Sequence, residues 1–161
     1  MEVNMHLANP ALNTLFGIKN SPVKPTNRFY EAINLEGAGK LKEAAEIYIS
    51  LMDDHFGNTA LNAALGMNHA VQGKHGLAYQ LLMYAFNSAD KLEEDMKALG
   101  ITPEANMSKD RFFRMKRAEL ANAIGTTWKH ENKIDKARYW FERAKDIIKE
   151  PSADIENNLA T

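Results

Sequence analysis

Three stretches decide how this chain folds: Lys40–Tyr48 (KLKEAAEIY), Lys74–Leu82 (KHGLAYQLL) and Lys133–Phe141 (KIDKARYWF). Each opens on lysine, carries alanine at its fifth position (Ala44, Ala78, Ala137) and closes one helical turn later on a bulky residue (Tyr48, Leu82, Phe141). The first two stand 34 residues apart, a period that describes a helix–turn–helix unit, and Gly39 with Gly73 and Leu51 with Ala85 keep the same register. Leu65, Gly66, Ala78, Leu82 and Ala85 recur 59 residues on as Ile124, Gly125, Ala137, Phe141 and Ala144. An insertion of 25 residues accounts for the longer step. Small residues at these spacings let two antiparallel helices approach closely, with the bulky residue filling space one turn away.

Outward from these stretches, the five prolines (Pro10, Pro22, Pro25, Pro103, Pro151) leave 26–102 and 104–150 free of helix breakers. The pattern predicts an all-α chain with helices near 26–37, 41–55, 59–72, 75–98, 108–130 and 134–149, and a stub from about 153. Residues 1–24 mix prolines with Leu12, Leu15, Phe16 and Ile18 and read as a lead-in, either disordered or folded back on the helices.

These residues resemble the tetratricopeptide repeat. A large-small pair in each first helix (Leu65-Gly66, Ile124-Gly125) faces a small residue in the second (Ala44, Ala78, Ala137). The resemblance covers about 25–58, 59–92 and 118–151, with 93–117 inserted and 152–161 as the opening of a fourth unit. The first unit departs from the pattern with Glu31-Ala32 in place of a large-small pair, and the third has Asn132 where the turn glycine usually sits; asparagine tolerates the left-handed backbone such a turn needs. The resemblance implies a right-handed superhelix whose first helices line a concave groove. Carried over residue by residue, the groove positions are Phe29, Tyr30 and Ile33 (with Glu36 beside them), Ala60, Ala63, Ala64, Met67 and Val71, and Asn122, Thr126 and Lys129. It also argues against one family activity. The clamp for chaperone C-terminal carboxylates needs Lys, Asn and Arg donors where this chain has Phe29, Ile33, Ala64, Glu119 and Ala123, so bidentate charge-assisted capture is not expected.

The insertion reads as a lengthening of both neighbouring helices into a projecting hairpin linked by Gly100-Ile101-Thr102-Pro103, with Ser108 as a further candidate N-cap. Its outgoing arm is acidic (Asp90, Glu93, Glu94, Asp95) and its returning arm basic (Lys109, Arg111, Arg114, Lys116, Arg117). Glu94 is expected opposite Arg111 and Asp90 opposite Arg114 or Lys116. Failing that pairing, Arg111, Arg114 and Arg117 form a second contact surface for an acidic partner.

Chemistry is sparse. Of 161 residues 45% are hydrophobic and 25% charged, with a net charge of -1, which gives no general field toward nucleic acid or an anionic membrane. Zero cysteines remove disulfides, thiolate metal sites and cysteine nucleophiles. No apolar run reaches a membrane span and no secretory leader opens the sequence, so a cytoplasmic location is the expectation. The five histidines show no metal-ligand spacing: Asp53-Asp54-His55 reads as helix capping, and His69 as a satisfied, partly buried imidazole. No nucleophile–base–orienter set and no cofactor signature emerge. The sequence therefore points to a non-catalytic protein-interaction scaffold that holds a peptide or helix in its groove. Two other readings stand beside it: the N-terminal part of a larger enzyme such as a glycosyltransferase, and a self-assembly module that forms homo-oligomers.

Overall fold

The computed structural model describes residues 27–103 and 106–160; the lead-in 1–24 lies outside them. Among the described residues the chain is all-helical, with no strand. In chain order the helices are α1 (Arg28–Gly37), α2 (Leu41–Met52), α3 (Thr59–Val71), α4 (His75–Asn87), a 3-10 turn (Ala89–Lys91), α5 (Leu92–Ala98), α6 (Lys109–His130), α7 (Ile134–Ile148) and α8 (Ala153–Ala160). They form two compact units that divide at 104/105, the first holding α1–α5 and the second α6–α8. That boundary falls inside the stretch read as an insertion.

Three pairs, α1 with α2, α3 with α4 and α6 with α7, make helical hairpins, and their turns are built alike. Gly39, Gly73 and Asn132 all adopt a left-handed backbone, with φ of 81°, 81° and 60°. The amides of Lys40, Lys74 and Lys133 donate back to the carbonyls of Leu35, His69 and Trp128, and those of Gly39, Gly73 and Asn132 to Glu36, Ala70 and Lys129. These bonds satisfy carbonyls that a helix end leaves open, and the two sets recur at the offsets of 34 and 59 found in the sequence. The first helix of each pair starts on a side-chain cap: Asn27 accepts from the Phe29 and Tyr30 amides, Asn58 from Leu61 and Ser108 from Arg111. The second helices start in the turn itself and have no side-chain cap bond.

Packing inside the hairpins depends on the small residues. A Cβ placed on Gly66 would sit 2.9 Å from Leu82 Cγ, and one on Gly125 would sit 2.5 Å from Phe141 Cε1 and 3.1 Å from the Ala137 carbonyl oxygen. Ala44, Ala78 and Ala144 have no exposed surface, and Ala137 almost none.

The insertion does not continue as a straight arm. The helix expected over 75–98 breaks at Ser88–Lys91, and α5 turns back to pack on α3 within the first unit. The Asp95 carboxylate accepts from the Thr59 amide at 2.7 Å, Asn58 Nδ2 donates to the Asp95 carbonyl, and Asn27 Nδ2 donates to the Leu99 carbonyl. Leu92, Met96, Leu99 and Ile101 are buried as a result. The acidic segment is thus an internal tie across the N-termini of α1 and α3, where a carboxylate also meets a favourable helix dipole.

The turn geometry sets an expected pair of results. Gly73→Ala forces a Cβ onto a left-handed residue and lowers unfolding free energy by about 1–2 kcal/mol. Asn132→Gly relaxes the equivalent turn and stays within about 0.5 kcal/mol of the parent. Urea unfolding followed by far-ultraviolet circular dichroism measures both.

Candidate functional site

The positions expected to line the groove divide sharply by exposure. Phe29, Ile33, Ala60, Ala63, Ala64 and Met67 are all buried, with Met67 the most accessible at 7%. Tyr30 and Val71 keep partial exposure in the first unit, as do Asn122, Thr126 and Lys129 in the second. A buried side chain offers a partner no surface until whatever covers it leaves. In the first unit α3 packs against α2, α4 and α5, so it is enclosed on several sides by its own chain.

Glu36 lies at the C-terminal end of α1 and is 2% exposed. It meets donors from the next two helices. Tyr48 Oη from α2 donates to Glu36 Oε1 at 2.6 Å, and Asn68 Nδ2 from α3 donates to Oε2 at 2.9 Å and to the Leu41 carbonyl at 3.0 Å. Gln72 Nε2 closes the set on Asn68 Oδ1 at 2.6 Å. Burial pushes the Glu36 carboxyl up to about 7, against the pull of the two hydrogen bonds, and burial together with the neighbouring Glu36 raises the Tyr48 hydroxyl well above its ordinary value. Its bonds link α1, α2 and α3, so the cluster is a structural tie with a titratable centre. Glu36 was legible only as a groove position. The hydroxyl of Tyr48, placed where Leu82 and Phe141 stand in the other hairpins, is the signal that a buried polar partner is required.

In the second unit the basic residues are engaged. Arg111 forms a two-pronged pair with Glu150, at 3.0 and 2.8 Å, and Arg114 reaches Asp110 at 2.8 Å and the Ile148 carbonyl at 3.2 Å. The bond from Arg111 holds the Glu150 carboxyl below its ordinary range. The partners expected for Arg111 and Arg114, Glu94 and Asp90, are replaced by carboxylates of α6 and of the residues after α7. Two of the three arginines assigned to a second contact surface therefore clamp α6 to α7, while Arg117 is exposed on α6. Lys116, 2% exposed, pairs with Glu119 at 3.0 Å and lies 5.0 Å from the Phe112 ring centroid. Burial raises the Glu119 carboxyl. Phe112 is buried and Phe113 half-buried, their rings edge to face at 5.0 Å. Asn122 accepts from Asn158 of α8, and the Thr126 hydroxyl donates to the Asn122 carbonyl.

No family model, curated protein or solved structure matches this chain. Among the described residues no group of three or more His, Asp or Glu side chains is placed to hold a metal ion, and no helix is long and apolar enough to cross a membrane. His69 is 7% exposed, its Nδ1 has no hydrogen-bond partner, and burial with Lys74 nearby lowers its basicity. The imidazole expected from the sequence to be satisfied is therefore unsatisfied at Nδ1.

The Glu36 cluster gives a pH signature. Its folded value, about 7, exceeds its ordinary 4.5, so its stabilising contribution is complete below pH 4.5 and is lost as pH rises through 7, a change of about 3 kcal/mol. Glu36→Gln removes that slope. The measurement is unfolding free energy from pH 4.5 to 8 for both proteins, where the parent-minus-variant difference falls as pH rises.

Proposed function

We propose that this chain is a tetratricopeptide-like scaffold that binds a protein segment along the first helices of its hairpins and performs no catalysis of its own. The observation that supports this most is the threefold use of one turn, with left-handed Gly39, Gly73 and Asn132 and the same backbone hydrogen bonds, joined to close glycine crossings at Gly66 and Gly125. Repeated helical hairpins are a common architecture for recognition surfaces.

On this reading a partner meets the first-helix residues that keep exposure. Phe29, Ile33, Ala60, Ala63, Ala64 and Met67 belong to the packed interior and shape the surface from beneath. Contact falls to Tyr30 and Val71 in the first unit and to Asn122, Thr126 and Lys129 in the second. Tyrosine supplies a large ring with a polar tip, a residue type enriched at energetically dominant contacts. A substitution such as Met67→Glu would unfold the first unit and so says nothing about binding.

A photoactivatable side chain placed singly at Tyr30 and Val71, with exposed Lys42 and Glu46 of α2 as controls, tests the assignment in cells. Covalent adducts are expected from the first pair at several times the control level. Adducts from Lys42 and Glu46 alone would contradict it.

A further inference from the structure

The short helix α8 lies on the hairpin of the second unit. It packs on α7 and reaches α6 through Asn158, whose Nδ2 donates to Asn122 Oδ1 at 2.9 Å. Asn158 and Leu159 share a shallow recess with Lys129 of α6 and with Ile134 and Phe141 of α7. Two of the three second-unit positions assigned to partner contact, Asn122 and Lys129, are thus already met by a segment of the same chain.

That segment is lightly held. Ile155, 4% exposed, is the one buried residue of α8, and Leu159 is only half-buried. The Ser152 hydroxyl accepts from the Ile155 amide at 3.5 Å, the far end of hydrogen-bond reach. Glu156 pairs with Lys145 at 3.4 Å with both side chains about half exposed, a setting in which an ion pair contributes little. Asp154 brings a second negative charge toward the Glu119 carboxyl, which burial raises and Lys116 pulls back. Eight residues are also too few to stay helical in water without packing. Elements with so few buried contacts open before the rest of a fold.

Charge favours a replacement of the same kind. Residues 105–152 carry 12 Lys and Arg against seven Asp and Glu, whereas α8 bears Asp154 and Glu156 and no basic residue. We propose that α8 is a displaceable occupant of the partner face of the second unit, and that the partner replacing it is a short amphipathic helix of matching chemistry. Such a helix carries aliphatic residues four apart where Ile155 and Leu159 stand, so that both meet one face. It sets a carboxylate against Lys145 and an amide against Asn122, with a neutral residue in place of Asp154. This inference rests on the proposed scaffold reading and adds to it the chemistry of the partner and a built-in competitor.

A fluorescein-labelled synthetic peptide spanning residues 151–160 with Asp154→Asn is the probe, titrated by fluorescence anisotropy into full-chain proteins. Ile155→Asp unseats the protein's own α8, and this variant binds the peptide roughly tenfold or more tighter than the parent, whose face is open only part of the time. Leu159→Asp does the same and replaces it if the first variant loses more helicity by circular dichroism than α8 supplies. Adding Lys145→Glu to either weakens peptide binding about threefold or more. Equal affinity for parent and unseated variants overturns the proposal, as does the absence of saturable binding to the unseated variants. The scaffold reading is scored separately by adducts at Tyr30 and Val71 in the first unit. Adducts there without peptide binding remove this inference alone, whereas peptide binding without adducts leaves α8 displaceable and removes the first-unit contact.

Discussion

Close approach of paired helices is the constraint on which the rest depends. At Gly125 there is no room for a methyl group, because the Phe141 ring already stands where a Cβ would go, and at Gly66 Leu82 leaves almost none. With backbones this near, the bulky residue of the second helix reaches across and fills the space beside the first. Ala44, Ala78 and Ala137 do the same from the other side. Interiors packed to this density tolerate little change in volume. That is why the same few residue types return at each crossing and why the turns between helices are short and alike.

The first hairpin meets the constraint differently. Ala32 takes the place of Gly66, and Tyr48 the place of Leu82, so a hydroxyl enters the interior and must be satisfied. Glu36 supplies the acceptor, and Asn68 ties the same carboxylate to the next hairpin. One polar substitution at a packing position thus brings in a buried acid, a buried amide and a dependence on pH that an apolar hairpin lacks. A buried carboxyl is strongly destabilising without partners, which makes the whole set act together.

Local chemistry explains what the sequence made legible. The hairpin turns, the Asn and Ser caps and the helix spans of 108–130 and 134–149 follow from residues within a few positions of each other, and the observed ends differ by a residue or so. The break at Ser88–Lys91 does not. No proline or glycine marks it, and its cause lies far away in sequence: the Ser88 carbonyl accepts from the Thr59 hydroxyl, and Asp95 takes the Thr59 amide. Asp95, one of the acidic residues that looked like one arm of a hairpin, is held at the N-terminus of α3. The groove positions fared similarly. Register alone placed Phe29, Ala60 and Met67 on first-helix faces, but it carried no information about α5 packing on α3. The Glu36–Tyr48–Asn68 cluster was half visible, since a tyrosine at an interior position demands a partner, while the identity of that partner needed the fold.

The claim that helix proximity at the small-residue crossings organises each hairpin is tested most directly by a double-mutant cycle on Gly125 and Phe141. Unfolding is followed by the fluorescence of Trp128 and Trp140, both on helices of the same hairpin. Gly125→Ala should be costly beside phenylalanine and much cheaper beside Phe141→Leu, with a coupling energy of about 1 kcal/mol or more. Costs that add to within about 0.3–0.5 kcal/mol would mean that the two residues do not meet as described, and the account of the hairpin would fail.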